Sequence, residues 1–209
     1  MFDPTTYRSR RRALADQERP EDGLVLLLGN QQSPRNYAAN PHPFRQDSSF
    51  LYYFGLDRPD LYGLIDLDDG TSTLYGDDAT LEDVIWMGEQ PSLQEEAQAV
   101  GLDTVAPVSA LHRVLSRARD QGRSIHFLPP YRNEHHLQLN ALLGLEHDQL
   151  DAAASESLIR AVVRQRSTKT EDEVAQIEEA LARTAQIHDY ALRHAAPGVA
   201  ERDILGGMA

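Results

Sequence analysis

The chain contains 209 residues with a net charge of −13 and no cysteine, a length that accommodates one complete domain and part of a second. The negative charge argues against nucleic acid or an anionic membrane surface as a partner, because binding to either requires Lys and Arg to neutralise phosphate. The lack of cysteine excludes disulfides, thiol catalysis and cysteine-bound zinc. Without a run of eighteen apolar residues or an apolar N-terminal leader, the sequence predicts a cytoplasmic protein that does not span a membrane.

The first predicted elements are a helix and a strand. Asp3 followed by Pro4 is typical of a helix start, and a helix is predicted over residues 7–18. The arginine-rich segment 8–12 is interpreted as a solvated face with ion pairs, with a nucleic-acid patch as the disfavoured alternative in so acidic a chain. The uninterrupted aliphatic run at residues 24–28 predicts a central strand.

Residues 42–75 hold the densest group of aromatic and strand-forming side chains. The run FLYYF at residues 50–54 predicts a strand buried on both faces. Residues 62–67 and 71–75 predict two further strands, and the Asp-Asp-Gly sequence between them predicts a hairpin turn. Residues 45–47 are expected to latch the entering chain by an ion pair of Arg45 with Asp47 or Asp57, with direct substrate contact as the alternative.

An acidic cluster and the only tryptophan follow. The cluster does not have the spacing of a calcium-binding loop, and turn chemistry accounts for it better; it comprises Asp66, Asp68, Asp69, Asp77 and Asp78. Trp86 lies in the segment TLEDVIWMG, and a place in the core is the usual role of such a residue.

Helices alternate with strands in the next part of the chain. Helices are predicted over residues 92–100, 108–121 and 134–143, and a strand is predicted over residues 124–128. The pair His135 and His136 does not match a helical metal site, which requires spacing of four residues, so both are expected on the solvated surface. This order of elements predicts an α/β sandwich with a mixed sheet flanked by helices.

The composition changes after residue 153 to almost unbroken helix. Thr170 and Glu173 form a capping box, and helical spacing of apolar residues predicts a helix over residues 170–196. Its apolar stripe lacks following strands that would cover it, so we expect a chain that continues beyond Ala209, or packing of the stripe on the N-terminal part or on a second copy. The predicted domains are residues 1–153 and 154–209.

The segment FRQDSSFLYYFGLDRP at residues 44–59 resembles the signature of the N-terminal domain of Xaa-Pro aminopeptidases, in the aminopeptidase P, prolidase and creatinase group. Four further segments are similar to the family in the same order. They are residues 7–14 (its opening helix), 23–29 (its first strand), 86–88 (its short W-x-G element) and 158–180 (the join to its catalytic domain).

The resemblance implies the N-terminal domain of a homo-oligomeric metalloprotease, followed by helices that open an incomplete pita-bread catalytic domain. Such hydrolases remove the residue that precedes a proline at the second position of a peptide, using two metal ions, commonly manganese. Their ligands, two aspartates, a histidine and two glutamates, belong to segments expected after Ala209. The resemblance therefore assigns no catalytic residue and no metal ligand here, and we expect the chain alone to be inactive.

For Trp86 the resemblance implies a substrate-binding role in the cleft of a neighbouring subunit. Two alternatives stay open at this point. One is a stand-alone module that binds peptides or proteins without catalysis, and the other is a fragment of a prolidase, which cleaves Xaa-Pro dipeptides.

Overall fold

The structure is a computed structural model that describes residues 2–16, 22–37 and 39–208. The chain divides into two compact units, the first ending at Arg166 and the second beginning at Ser167. No helix in these described ranges is long and apolar enough to cross a membrane.

The first unit is built on one mixed sheet. Its strands are β1 (Gly23–Leu28), β2 (Tyr62–Asp66), β3 (Ser72–Tyr75), β4 (Thr104–Ala106) and β5 (Ser124–His126). Their spatial order is β4-β3-β2-β1-β5. β2 is antiparallel to both β1 and β3, whereas β5 runs parallel to β1 and β4 parallel to β3. The predicted mixed sheet is therefore confirmed.

Helices cover both faces of this sheet. The α-helices of the first unit are α1 (Pro4–Asp16), α2 (Ser48–Phe54), α3 (Leu81–Met87), α4 (Leu93–Ala99), α5 (Val108–Asp120), α6 (Asn133–Leu143), α7 (Leu150–Ala153) and α8 (Glu156–Ser167). Side chains of α1, α2, α4 and α8 form one apolar core with the sheet. Side chains of α5, α6 and α7 form a second core on the opposite face.

β1 is the strand that joins the two cores. Val25 and Leu27 belong to the first core, and the alternate residues Leu24, Leu26 and Leu28 belong to the second. Successive side chains of a strand point to opposite faces, so an aliphatic run without polar alternation is what a strand covered on both sides requires. The predicted central strand is confirmed.

The predicted strand over residues 50–54 is wrong, because these residues form α2. The Asp47 carboxylate caps the helix by accepting the backbone N–H groups of Ser49 and Phe50, and Gly55 ends it in the left-handed conformation at a φ of 71°. Phe50 and Phe54, four residues apart, stack with ring centroids 5.1 Å apart. Both are fully buried, and their spacing is that of one helical face.

The chain entering α2 is held by hydrogen bonds of Gln46 and Asp47, whereas the expected ion pair of Arg45 with Asp47 or Asp57 is not among the contacts of the described residues. The buried Gln46 amide oxygen accepts the N–H groups of Asn30, at 2.7 Å, and of Asp47, at 2.9 Å. The amide nitrogen donates to the carbonyls of Arg58, at 2.7 Å, and Leu56, at 3.3 Å. One side chain thus joins the end of β1, the start of α2 and the segment after α2.

The interpretation of residues 8–12 as a solvated face is wrong for Arg10 and Arg11, which are both buried. Arg11 donates to the carbonyls of Tyr53 and Gly101, each at 2.8 Å, and of Val100, at 3.3 Å. Tyr53 lies in the last turn of α2, and Val100 and Gly101 follow the end of α4, so these carbonyls lie where backbone acceptors lack intrahelical partners. Arg12 does lie on the surface and pairs with Asp16 at 3.2 Å.

The remaining predicted elements of the first unit agree with the structure apart from their ends. The hairpin turn between β2 and β3 closes with the Gly70 N–H donating to the Asp66 carbonyl at 2.9 Å. The helix predicted over residues 7–18 is α1, and residues 17 and 18 lie outside the described residues.

The second unit consists of α9 (Glu171–His194) and α10 (Glu201–Met208). The predicted capping box is confirmed, with Thr170 Oγ1 accepting the Glu173 N–H at 3.3 Å and the Glu173 carboxylate accepting the Thr170 N–H at 2.8 Å. α9 contains no buried residue. Its apolar stripe is exposed at Val174, Ile177, Leu181 and Ile187. The domain boundary after residue 153 stays a prediction.

Candidate functional site

The strongest surface feature of the first unit is α3, a short helix with no buried residue. Thr80 and Asp83 begin it with a capping box, and Gly88 ends it at a φ of 80°. Its large apolar side chains, between 71% and 79% exposed, are Leu81, Ile85, Trp86 and Met87. Monomeric proteins rarely expose such side chains together, so this group, here called the Trp86 surface, is typical of a binding site.

A depression of about 670 Å³ lies beside α3. Thr80, Asp83 and Met87 line it from α3, and Pro59, Pro91 and Val108 add apolar wall. Its carboxylates come from four separate segments of the chain; they are Asp57, Asp60, Asp77, Asp78, Asp83 and Glu96. We call this feature the acidic depression.

Two of these carboxylates hold the starts of neighbouring helices. Asp77 Oδ1 accepts the Val108 N–H at 3.2 Å, where α5 begins, and Asp78 Oδ1 accepts the Leu93 N–H at 2.6 Å, where α4 begins. Negative charge is favourable at a helix N-terminus because the first N–H groups lack backbone partners. These two aspartates are therefore fixed in place at the edge of the depression.

Arg58 is the one cation among the residues that line the depression. It pairs with Glu96 at 2.5 Å and also donates to the Asp77 carbonyl. Burial raises the pKa of the nearby Tyr62 hydroxyl, and the charges of Asp60 and Asp77 raise it further. Hydrogen bonds from Thr80 lower the pKa of Asp83, so that carboxylate stays ionised.

In the described ranges no group of three or more His, Asp or Glu side chains could hold a metal ion. Asp66 and Asp68 of the acidic cluster both pair with Arg123, at 2.5 Å and 2.7 Å. Asp69 caps its own turn, and hydrogen bonds from Thr71 lower its pKa. These contacts agree with turn chemistry rather than with a calcium loop.

The expectation that His135 lies on the solvated surface is wrong. His135 is buried against the end of β1, and its Nε2 donates to the Gly29 carbonyl at 3.2 Å. His136 is half-buried and packs against His147 with ring centroids 4.3 Å apart. Local sequence did not reveal this burial, because α6 packs through its Leu139 face and carries His135 inward beside it.

Burial lowers the pKa of His135, although the charge of Asp47 opposes that shift. The unfolded chain then binds a proton more readily than the folded chain, so stability is expected to fall as the pH drops below about 6.5. Urea unfolding at a series of pH values measures this slope. His135→Gln, which keeps a donor for Gly29, should flatten the dependence of the unfolding free energy on pH just below about pH 6.5. The exposed control His112→Gln should leave this dependence unchanged. An unchanged slope in His135→Gln would contradict the assignment.

Comparison with known proteins identifies the family. The sequence profile described as "Aminopeptidase P, N-terminal domain" matches residues 7–126, more than half of the chain, from within α1 to the end of β5. The chain belongs to the aminopeptidase P N-terminal domain family. The match includes α3 and every segment that lines the acidic depression.

Similar curated proteins are Xaa-Pro peptidases. A probable Xaa-Pro aminopeptidase of Blastomyces gilchristii is 29% identical over 197 residues, which cover 93% of this chain and 37% of the relative. A probable Xaa-Pro aminopeptidase of Emericella nidulans is 32% identical over 48% of this chain and 21% of the relative. The human Xaa-Pro dipeptidase is 32% identical over 44% of this chain and 19% of its own length.

Similar solved structures show the same fold. The low-pH form of aminopeptidase P from E. coli has a TM-score of 0.78 and 22% identity, covering 100% of this chain and 49% of that chain. The zinc-substituted E. coli enzyme in complex with product has a TM-score of 0.78 and 21% identity, covering 99% of this chain and 48% of that chain. The chain thus spans about half of these structures and less than half of the curated relatives.

Trp86, the candidate substrate-binding residue, lies at the exposed surface of α3 rather than in the core. The acidic depression beside it was not predicted. In the sequence Asp77 and Asp78 stand out only as part of an acidic cluster. Asp57, Asp60 and Glu96 are too far apart along the chain for a local motif to join them.

Proposed function

We propose that the chain is the N-terminal portion of a cytoplasmic, metal-dependent Xaa-Pro aminopeptidase, which removes an N-terminal residue that precedes proline. The observation that carries the proposal is the family match over residues 7–126. A structural likeness over 100% of the chain to aminopeptidase P supports it. In this proposal residues 1–153 form the N-terminal domain, and residues 154–209 are the linker and first helices of the catalytic domain.

The metal pair belongs, in this proposal, to the part of the enzyme that the chain does not span. The residues described do not fit it, because they include no group of three potential ligands. Two manganese ions, or a similar divalent metal, would activate water and polarise the scissile carbonyl there. The chain itself is expected to be inactive, and its work is to assemble the homo-oligomer and to limit which peptides reach the cleft.

The protein isolated from its source cells tests this proposal. It is expected to cleave the bond before proline in an Xaa-Pro peptide, to lose this activity with a chelator and to regain it with manganese. The 209-residue chain, assayed in parallel, is expected to show no cleavage. Absence of cleavage by the source protein at any metal concentration would contradict the proposal.

Trp86 contributes to substrate binding in this proposal, in the cleft of a neighbouring subunit. Replacing Trp86 with alanine in the full-length protein should raise the KM for a peptide about tenfold, because a lost aromatic contact costs more than 1 kcal/mol, and should leave kcat nearly unchanged. Tyr37, an aromatic residue 61% exposed elsewhere in the unit, supplies the control Tyr37→Ala. An unaltered KM in Trp86→Ala would remove the assignment.

A prolidase remains a second candidate because the human Xaa-Pro dipeptidase is among the similar proteins. Substrate length separates the two, since a dipeptidase acts on Xaa-Pro itself and an aminopeptidase on longer peptides. A non-catalytic binding module is the third candidate, and peptide binding without cleavage by the source protein would favour it.

A further inference from the structure

The Trp86 surface has no counterpart to cover it within the described part of the first unit. Its four apolar side chains remain between 71% and 79% exposed while the rest of the unit buries two cores. Leaving large apolar side chains in water is unfavourable by about 25 cal/mol per Å². A binding partner that covers them would recover that free energy.

The charge around this surface determines which partner fits. Six carboxylates and one arginine line the acidic depression, and that arginine, Arg58, is engaged by Glu96. The other five carboxylates are aspartates, and no second cation among the lining residues balances them. Glu82 and Glu89 extend the acidic character along α3 and its C-terminal end.

Four of these five aspartates accept hydrogen bonds from neutral donors. Asp77 and Asp78 accept backbone N–H groups at the starts of α5 and α4, and Asp83 accepts the Thr80 N–H at 2.8 Å. Asp60 accepts the Gln31 side-chain amide at 3.0 Å. The depression is therefore held in shape by neutral donors and keeps its negative charge for a ligand.

We infer that the Trp86 surface and the acidic depression together bind an extended basic peptide, with an apolar side chain on the Trp86 surface and Arg or Lys side chains in the depression. A second copy of this N-terminal portion fits the acidic depression less well, because its net charge is also −13, and in the proposed oligomer the peptide lies between this surface and the cleft of the neighbouring subunit. The inference rests on the proposed function and adds to it a substrate class, namely Xaa-Pro peptides with basic residues after the proline.

Trp86 makes the test direct, because it is the only tryptophan in the chain. The 209-residue chain is titrated with the hexapeptide Arg-Pro-Leu-Arg-Gly-Arg while the Trp86 emission is recorded. A saturable change is expected, and the peptide with glutamate in place of each arginine should bind at least about tenfold more weakly. Raising the salt from about 0.01 M to about 1 M shortens the Debye length from about 30 Å to about 3 Å. The affinity for the basic peptide should then fall about fivefold.

Asp60→Asn is the variant that removes charge with least disturbance. Asp60 has a φ of 62°, a conformation that asparagine tolerates, and asparagine keeps an acceptor for Gln31. Affinity for the basic peptide is expected to fall about threefold, because one of several charges is lost. Asp148→Asn changes the same charge at an exposed position outside the depression and should leave affinity unchanged.

Three outcomes would overturn the inference. The first is equal binding of the two peptides. The second is no change in Trp86 emission with the basic peptide at about 1 mM, which would mean a dissociation constant above about 1 mM. The third is a change in emission that depends on protein concentration alone. The third would mean that a second copy covers the surface. Cleavage of Xaa-Pro peptides by the source protein without any preference for basic residues would leave the proposed function intact and remove this inference alone.

Discussion

Replacing Arg11 with leucine is expected to lower the free energy of unfolding of the first unit by about 3–5 kcal/mol. The guanidinium is buried and bonds three carbonyls, those of Tyr53, Val100 and Gly101. Leucine keeps apolar volume but leaves these acceptors without donors, and each unsatisfied buried group costs about 1–3 kcal/mol. Burial, together with the charge of the nearby Arg8, lowers the pKa of Arg11 to about 10. The three carbonyls therefore hold a charge that the site otherwise disfavours.

Urea unfolding followed by circular dichroism measures this effect. Arg12→Leu is the matched control, because Arg12 is the next residue and lies on the surface with Asp16. Its loss is expected to change stability by less than about 1 kcal/mol. Equal destabilisation by the two variants would show that Arg11 does not join α1 to the ends of α2 and α4.

Replacing Gln46 with leucine is expected to cost about 3–4 kcal/mol, because all four of its hydrogen bonds would be lost. The two N–H groups of Asn30 and Asp47 and the two carbonyls of Leu56 and Arg58 would lose their partner at once. The loss would loosen the segment that carries Arg58 toward the acidic depression. Loss of negative ellipticity at low urea concentrations, before the main unfolding transition, would report that loosening.

Gln98→Leu is the control for this substitution, since Gln98 is exposed on α4. It should leave the unfolding midpoint nearly unchanged. Gln46→Glu offers a second comparison, because it keeps two acceptors but loses both donors and places a charge in a buried site. It should therefore destabilise the unit at least as much as leucine. A stable Gln46→Leu variant would contradict the latch.

Four of the five strands could be predicted from sequence because their signals are local, whereas the three-residue β4 was not predicted. The aliphatic run of β1 and the Asp-Asp-Gly turn between β2 and β3 each specify their structure within a few residues. The aromatic composition of residues 50–54 favours a strand, although their spacing and flanking residues indicate a helix. Asp47 before the run and Gly55 after it are helix-capping residues, and Phe50, Tyr53 and Phe54 share one helical face.

The buried polar side chains could not be predicted in the same way. Arg11 bonds carbonyls that follow it by 42 to 90 residues, and His135 bonds the Gly29 carbonyl 106 residues before it. Short-range patterns carry no information about such partners. A charged residue on a short helix is usually solvated, so the pattern favoured the surface for Arg10 and Arg11, which the tertiary packing places inside.

The candidate site could be predicted only in part for the same reason. The exposure of Trp86 followed from the family resemblance, whereas a single tryptophan in an apolar segment otherwise indicates a core residue. The acidic depression is assembled by the sheet and by the starts of α4 and α5, which bring together carboxylates from distant segments. The sequence alone therefore does not indicate that these carboxylates lie together.

The central claim is that this chain forms the N-terminal part of a larger peptidase, and the intact mass of the protein in its source cells tests that claim most directly. An antibody raised against the 209-residue chain would isolate the native protein for mass spectrometry. The account predicts a mass well above 23.4 kDa, because the chain spans about half of the solved aminopeptidase P structures. A native mass of 23.4 kDa would contradict it and would favour a binding or assembly role.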